Sequence, residues 1–341
     1  MANNLDSLGI EEALRLFPNQ VREAWKQAFS TDLPKFSPKA VVISGIGGSS
    51  LAGRFIVNFW EDKTSLPIFI HNDYGLPKWV DKDVLVVGNS YSGNTEETIS
   101  AVDKALKIGC KVMTISTGGI LYERAQKGEF PGVKLSQDAN PPRFPKSGFG
   151  ISLGGLLGAF AKTGLIKLTE EDLFSALDEL EAIRKDWQEP KEIAEWLVDS
   201  IPVLFAARPL LGSVQAGRNV IDEIGRTFAV WFDFPEVNHV LVEATMQPQA
   251  IKEKAKYLFL YSDLYHERIK LRYKATQELF KEQGLAFRQY DLKGRGDLTQ
   301  ALEIPHLCAW IAFHLSILNK QDPGPELWII YLKKALGQPV H

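Results

Sequence analysis

The stretch Asp83–Thr98, DVLVVGNSYSGNTEET, changes abruptly from apolar to polar residues. Its first half is a run of valine and leucine, which is typical of a strand that is covered on both faces. Its second half consists of hydroxyl, amide and glycine residues followed by Glu96 and Glu97. Acidic residues in a first helical turn interact favourably with the helix dipole, so the two glutamates indicate a helix start. The stretch therefore predicts a buried strand, a polar loop and a helix.

Other apolar runs in the N-terminal half have the same character. They are KAVVISGIG (39–47), LPIFIHND (66–73) and CKVMTIST (110–117). Helical patterns such as SSLAGRFIVNFW and EETISAVDKALKIG fill the gaps between these runs. Strands of this kind that alternate with helices predict a parallel sheet with helices on both faces.

The C-terminal half repeats this order of elements. Residues 201–230 predict a strand, a glycine turn and a helix, and residues 266–284 predict a helix that ends at a glycine. Further strands are predicted over residues 255–263 and 285–294. We therefore expect an α/β fold with two tandem doubly wound parallel-sheet subdomains and a C-terminal helix, LWIIYLKKALG, ending at Gly337.

The expected domain organisation follows from a charged helical segment, residues 168–188, between the two halves. A chain of 341 residues has the length of about two domains. We assign an N-terminal subdomain to residues 1–165, a helical connection to 166–195, a C-terminal subdomain to 196–320 and a helical tail to 321–341.

Composition narrows the class of protein. A net charge of -3 gives no electrostatic reason to expect nucleic acid or an acidic membrane as a partner. Cys110 and Cys308 lie far apart, without the spacing of a metal site or a disulfide framework. The N-terminal segment MANNLDSLGIEEALRLF predicts an amphipathic helix rather than a signal peptide. No stretch approaches the roughly 20 apolar residues that span a bilayer. We therefore expect a cytoplasmic protein.

Two polar loops follow strands of the predicted first sheet. The segment SGIGGSSLAG (44–53) is glycine-rich, and the loop from Asp83–Thr98 contributes the hydroxyls of Ser90, Ser92 and Thr95. Carboxyl ends of parallel strands form the ligand-binding edge of such sheets. Glycines allow close backbone approach, and helix N-termini attract anions. Each loop alone is also compatible with a simple turn, but together they favour a phosphate site.

Two nucleotide-binding alternatives fit the first loop less well. The loop lacks the Gly-Lys-Ser/Thr ending of a nucleoside-triphosphate loop. Gly45 and Gly47 match the first two glycines of a dinucleotide fingerprint. Ser50, however, stands where the fingerprint requires a third, glycine-like residue. A nicotinamide-dependent dehydrogenase is therefore a weaker hypothesis, which an NAD titration would test.

Several segments together resemble the bifunctional phosphoglucose/phosphomannose isomerases of the sugar-isomerase (SIS) superfamily. They are GIGGSSLAG, DYGLPKWVDKDVLVVGNSYSGNTEET, GRNVIDEIGRTFAVWFDFPEVNHVLVEA and the tail DPGPELWIIYLKK. The resemblance extends over nearly the whole chain. It implies two SIS subdomains, a homodimer with sites at the subunit junction, a phosphorylated hexose as substrate, and no metal or organic cofactor.

The resemblance also assigns roles to individual residues. It implies that the phosphate is bound by Gly47, Gly48, Ser49, Ser90, Ser92 and Thr95, with Arg143 as an active-site cation. It implies that the catalytic residues are Glu223, His239 and Lys333, with the adjacent Lys334 as an alternative to Lys333. Without the resemblance, Asp222 is as good a candidate as Glu223, His239 is compatible with a core or turn position, and Lys333 with the surface.

These residue types suit aldose–ketose isomerisation. A carboxylate can move a proton between C1 and C2 of a cis-enediol, and partial burial of Glu223 would raise its basicity. A histidine that titrates near neutral pH suits ring opening. A cation stabilises the negative charge on the enediolate. We therefore expect interconversion of glucose 6-phosphate, and of mannose 6-phosphate, with fructose 6-phosphate; the alternative is a non-catalytic SIS module that senses a sugar phosphate.

The chain departs from the family pattern in three places. Val240 and Leu241 follow the histidine where many members have Asn-Glu, and the next acid is Glu243. Arg226 replaces a frequent lysine after the catalytic glutamate. In the tail, Gly324 and Glu326 replace small polar residues in a region that borders the sugar in relatives.

Overall fold

The computed structural model describes residues 5–337 and contains two parallel sheets, one in each half of the chain. The first comprises β1 (Ala40–Ser44), β2 (Ile68–His71), β3 (Val84–Asn89), β4 (Lys111–Ser116) and β5 (Gly132–Lys134), in the spatial order β2-β1-β3-β4-β5. The second comprises β6 (Ile201–Ala207), β7 (Val230–Phe234), β8 (Ala255–Tyr261) and β9 (Ala286–Asp291), in the order β7-β6-β8-β9. The expected fold class is confirmed.

Helices cover both faces of the first sheet, because successive side chains of a strand point to opposite faces. They are α1 (Ile10–Arg15), α2 (Phe17–Ser30), α3 (Gly48–Trp60), α4 (Glu96–Ile108), α5 (Gly119–Gln126) and α6 (Phe149–Thr163). Val41 and Ile43 of β1 belong to the large core with α2, α3 and α6. Val42 belongs to the separate apolar cluster under α4 and α5.

Two helices, α7 (Glu170–Arg184) and α8 (Glu189–Leu197), lead into the second half. Helix α7 begins with a capping box, in which the side chains of Thr169 and Asp172 each accept a hydrogen bond from the other's backbone N–H. Both helices lie largely within the predicted connection, although the domain boundaries themselves stay a prediction.

The remaining helices belong to the second half. They are α9 (Leu211–Glu223), α10 (Leu241–Ala244), α11 (Gln249–Lys254), α12 (Glu267–Glu282), α13 (Asp297–Leu318) and α14 (Leu327–Ala335). Helix α9 packs against α3, so α9 lies against the first subdomain.

Three expectations about local structure are corrected. The predicted glycine turn after β6 is formed instead by Arg208–Leu210, and Gly212 lies inside α9, where it packs on the backbone of Arg54 in α3. The predicted N-terminal helix is limited to α1, which begins at Ile10 after Gly9. The Asp6 carboxylate accepts from the backbone N–H groups of Ile10 and Glu11. Residues 1–4 of that stretch lie outside the described residues. The short strands β5 and β7 were not predicted.

Helix α13 corrects the expectation that no stretch is long and apolar enough to cross a membrane. It has 22 residues and a mean hydropathy of 1.5 in its most apolar window. However, 78% of that window is buried inside the protein. The helix packs against α7, α8 and α9, and its burial identifies it as a core helix.

Candidate active site

The two predicted phosphate loops lie side by side because β1 and β3 pair in parallel. Ser44 of β1 is in register with Gly88 of β3, so the loops leave the same edge of the sheet. The Asn89 side-chain amide donates to the Ser49 carbonyl oxygen at 2.8 Å. The backbone N–H of Tyr91 donates to Ser49 Oγ at 2.9 Å. The first turn of α3 is therefore fastened directly to the second loop.

The hydroxyl groups of the second loop bind one another and the loop backbone. Ser90 Oγ lies 2.7 Å from Thr95 Oγ1 and also accepts from the backbone N–H of Gly93 at 3.1 Å. Ser92 Oγ accepts from the backbone N–H of Asn94 at 3.2 Å. Thr95 is the N-cap of α4, but its side chain makes no capping hydrogen bond. The loop is thus ordered internally, and the N-terminus of α4 lacks a side-chain cap.

Gly93 is the residue that this loop requires at its turn. Its φ of 71° is in the left-handed region, and a Cβ atom there would lie 1.8 Å from the carbonyl oxygen of Gly118. The Gly93 carbonyl accepts from the backbone N–H of Leu121, and Asn94 Oδ1 accepts from that of Ile120. The loops after β3 and β4 consequently form one hydrogen-bonded wall.

A cavity of about 430 Å³ lies against this wall. Its lining residues come from the loops after β3 and β4, from the segment before α6, and from α14 with the residue before it. They are Tyr91, Ser92, Asn94, Thr117, Gly118, Gly119, Gln137, Pro142, Arg143, Phe144, Pro145, Glu326, Ile330 and Lys333.

Three of the predicted binding and catalytic residues line this cavity, namely Ser92, Arg143 and Lys333. Lys334, the alternative to Lys333, is exposed and is not among the lining residues. Ser49 and Ser90 are buried and hydrogen-bonded within the two loops behind the cavity wall. Gly47, Gly48 and Thr95 belong to the same two loops but are not lining residues either.

The segment that carries Arg143 is held by the buried Asn140. The Asn140 amide donates to the Tyr91 hydroxyl at 2.6 Å and to the Phe144 carbonyl at 2.9 Å. Ser147 Oγ donates to Asn140 Oδ1 at 2.7 Å. Arg143 itself is exposed and has a φ of 58°, a conformation that is unusual for a residue other than glycine and often marks functional sites. The backbone therefore presents the Arg143 guanidinium at the cavity.

Glu223 is the last residue of α9, and its carboxylate makes no hydrogen bond or ion pair with any residue from Leu5 to Gly337. Burial, followed by the negative charge of Glu326, raises the pKa of Glu223 to about 7. Lys146 acts in the opposite direction, but its effect is smaller. Glu223 is therefore poised to exchange a proton near neutral pH.

Asp222, the alternative to Glu223, is already bound to its surroundings. Its carboxylate accepts from Arg218 Nη1 at 2.6 Å and from the backbone N–H of Ala229 at 2.9 Å. These hydrogen bonds fasten the loop after α9, which is a structural role.

His239, like Glu223, is not among the residues that line the cavity within one chain. It follows the short 3-10 turn Glu236–Asn238 after β7, where its side chain is exposed. The structure therefore brings Ser92, Arg143 and Lys333 together and leaves His239 on the surface.

Two further charged residues lie at this site: Lys146, which sequence reasoning missed, and Glu326, which it noted only as a departure from the family pattern. Lys146 is buried, and burial lowers its pKa to about 8. Its Nζ lies 4.0 Å from Glu326 Oε1, and Glu326 is only 8% exposed. An acid in a tail rich in glycine and proline is a weak signal for Glu326, whereas nothing local in the sequence distinguishes Lys146 from a surface lysine.

A metal centre has no candidate ligands in the part of the chain that the structure describes. No three histidine, cysteine, aspartate or glutamate side chains between residues 5 and 337 are grouped as a metal site requires. The charged side chains that line the cavity are those of Arg143, Glu326 and Lys333.

The fold agrees with that of sugar-phosphate isomerases. The tagatose-6-phosphate ketose/aldose isomerase from Escherichia coli superposes with a TM-score of 0.72 at 13% identity, covering 92% of this chain and 94% of the other. The profile of the bacterial phospho-glucose isomerase C-terminal SIS domain matches residues 187–336. The first comparison shows a shared fold, and the second matches the C-terminal half to an SIS domain.

Two proteins named bifunctional phosphoglucose/phosphomannose isomerase match most of the chain. The protein of Aquifex aeolicus is 32% identical, with 87% of this chain and 90% of the other covered. The protein of Caldicellulosiruptor bescii is 28% identical, with coverage of 96% and 98%. The chain belongs to the family of bifunctional phosphoglucose/phosphomannose isomerases, as its sequence segments suggested. It is accordingly an isomerase, and the alternative of a non-catalytic sensing module is not favoured.

Proposed function

We propose that this protein interconverts glucose 6-phosphate and mannose 6-phosphate with fructose 6-phosphate through ring opening and a cis-enediol. The observation that carries the proposal is the environment of Glu223. Its partly buried carboxylate has no hydrogen-bonding partner in the described chain and a pKa of about 7. A group of this kind can accept a proton from one carbon and return it to the next.

The phosphate of the sugar binds at the two loops after β1 and β3. Gly47, Gly48 and Ser49 contribute the start of α3, while Ser90, Ser92 and Thr95 contribute the loop before α4. The absence of a side-chain cap at Thr95 supports this placement, because the N-terminus of α4 is left to an anion. Arg143 and Lys333, which line the cavity, stabilise the negative charge on the enediolate.

Ring opening is assigned to His239 at the junction of a homodimer. Within one chain this histidine is exposed and away from the cavity, so a second copy would have to bring its own His239 to complete the site. Helix α14, which carries Lys333, exposes Trp328, Tyr331 and Leu332 to more than half of their maximum area. Large exposed apolar groups of this kind are typical of protein–protein interfaces.

The cellular compartment is proposed to be the cytoplasm. Both cysteines, Cys110 and Cys308, are buried free thiols, and they form no disulfide. Reduced thiols are the usual state in cytosolic proteins.

A coupled assay on both aldose phosphates tests the proposed reaction. We expect Glu223→Gln to lower kcat about 10²–10⁴-fold, because the amide cannot accept the C–H proton. Glu243→Gln, a change at an exposed acid outside the cavity, is the matched control and should retain full activity. A wild-type rate no higher than that of Glu223→Gln would contradict the proposal.

A further inference from the structure

Lys146 connects the N-terminal half to a segment 177 residues later in the chain. It lies in a 3-10 turn, Pro145–Ser147, just before α6. Its ammonium group donates to the Pro323 carbonyl at 2.9 Å and to the Gly324 carbonyl at 2.6 Å, 177 and 178 residues away. Burial of a lysine is unfavourable unless its donors are satisfied. These two carbonyls and the nearby Glu326 supply that compensation.

The segment that Lys146 contacts is the strap, which we define as residues 322–326. Arg226, which follows α9, donates to the carbonyls of Asp322 and Pro325. Each backbone carbonyl from Asp322 to Pro325 thus accepts from one of two cations, Lys146 or Arg226. The prolines lack N–H groups, so the strap cannot form the full set of hydrogen bonds of an ordinary strand.

The strap also packs closely on the N-terminal region. A Cβ atom on Gly324 would lie 2.8 Å from Cγ of Leu8, so only glycine allows this approach without a shift. The Gly324 N–H donates to Asp322 Oδ1 at 2.8 Å, which shapes the strap internally. The strap is therefore held by packing against Leu8 and by hydrogen bonds from Lys146 and Arg226.

The last residue of the strap, Glu326, and the helix that follows it contribute side chains to the cavity lining. Glu326 lines the cavity, and α14 starts at the next residue and adds Ile330 and Lys333. The charged groups that act on the Lys146 ammonium are Glu326, Arg226, Glu223 and Asp322. Lys146 therefore binds the strap, whose end leads into the cavity, and its charge interacts with that of Glu223 at the end of α9.

We propose that Lys146 is a positioning residue for the isomerase reaction, which acts through the strap by holding Glu326 and Lys333 in the cavity. This inference rests on the proposed function of the cavity. Lys146 carries no proton to or from the sugar in this scheme. Its contribution is to keep the C-terminal segment docked when substrate binds.

The first test compares Lys146→Met with the control Lys167→Met, a change at an exposed lysine. Tryptic cleavage in the tail, followed by mass spectrometry, should become at least tenfold faster in Lys146→Met, since the strap detaches. In the same variant kcat/KM should fall at least tenfold. Inhibition by inorganic phosphate should change less than twofold, because the strap carbonyls accept from Lys146 and Arg226 rather than from the phosphate loops. An unfolded or generally loosened protein would instead weaken phosphate inhibition as well.

A double-mutant cycle with Glu326→Gln shows whether Lys146 acts through the strap. If Lys146 acts by placing Glu326, the double variant should be no slower than Lys146→Met alone. Independent, multiplicative losses would overturn the proposal, as would unchanged tail cleavage in a folded Lys146→Met protein. Arg226→Met removes the other two hydrogen bonds to the strap and provides the same test if Lys146→Met does not fold. Tail cleavage does not depend on turnover, so failure of the proposed isomerase activity remains distinguishable from failure of this inference.

Discussion

Asp222 and Glu223 are neighbours in sequence, yet among residues 5–337 only the Asp222 carboxylate has hydrogen-bonding partners. Asp222 is bound to Arg218 and to the backbone of Ala229, whereas Glu223 is desolvated without a hydrogen bond. A helix rotates by about 100° per residue, so adjacent side chains point in different directions. The Asp222 carboxylate thus serves the loop after α9, whereas that of Glu223 is available for the proposed proton transfer.

The two acids should therefore respond differently to amide substitution. We expect Asp222→Asn to destabilise the fold by about 1–3 kcal/mol, because a charge-assisted hydrogen bond is lost. The kcat of Asp222→Asn should remain within a few-fold of wild type. Glu223→Gln should instead lose most of its kcat without a comparable loss in free energy of unfolding. Urea unfolding and steady-state kinetics on the same preparations provide the comparison. The reverse pattern would show that Asp222 is the catalytic acid.

The pH profile should report the titration of Glu223. Since its pKa is raised to about 7, its proton-accepting form is gained as pH rises through neutrality, and kcat/KM should rise over the same range. Glu326 is the second-largest cause of that shift, so Glu326→Gln should move the acid limb to lower pH. An acid limb that remains in place in Glu326→Gln would contradict the proposed proximity of the two carboxylates.

Substitution of Gly93 should damage the phosphate loop. A methyl group at Gly93 would collide with the Gly118 carbonyl, and the left-handed backbone disfavours alanine. We expect Gly93→Ala to cost about 1–3 kcal/mol in free energy of unfolding and to weaken inhibition by phosphate. Gly109→Ala is the control, since Gly109 also has a positive φ, of 86°, but has open space around it. Equal losses in both variants would indicate backbone strain alone.

The subunit junction can be tested by mixing inactive variants. If each site combines Glu223 of one copy with the histidine of another, a Glu223→Gln/His239→Gln heterodimer retains one intact site. Random reassociation should then restore about a quarter of the wild-type activity, while either variant alone stays inactive. Sedimentation velocity confirms the dimer, and no restoration in a proven heterodimer would place the histidine and glutamate of a site in the same chain.

His306 should make folding stability depend on pH. Burial lowers its pKa to about 3, below the 6.5 of an exposed histidine. Between those values the unfolded chain binds the extra proton, so stability is lost as pH falls from 6.5, by about 1.4 kcal/mol per pH unit. Stacking of the ring on Phe17 makes His306→Phe a suitable replacement. Urea unfolding at pH 7 and pH 5 should show a wild-type loss about 2 kcal/mol larger than that of the variant.

Sequence predicted most of the first sheet and its two loops because their signals are local. Apolar runs mark β1, β3 and β4, and the adjacent polar residues mark loops at one edge of the sheet. The strand β7 was missed because Asp233 and Pro235 interrupt or end its apolar run. Among the candidate residues, Ser92, Arg143 and Lys333 came together in the cavity, whereas no pattern in the sequence placed Lys146 against the strap.

The amino-acid sequence by itself determined the alternation of strands and helices, the composition of the phosphate loops and the family to which the chain belongs. These follow from periodicity and from motifs within a few residues of one another. Only the tertiary structure decided that Glu223 rather than Asp222 lacks a partner, that Lys333 rather than Lys334 lines the cavity, and that Lys146 fastens the strap. Burial and the charges of residues far apart in sequence control these properties, and neither exists before the chain has folded.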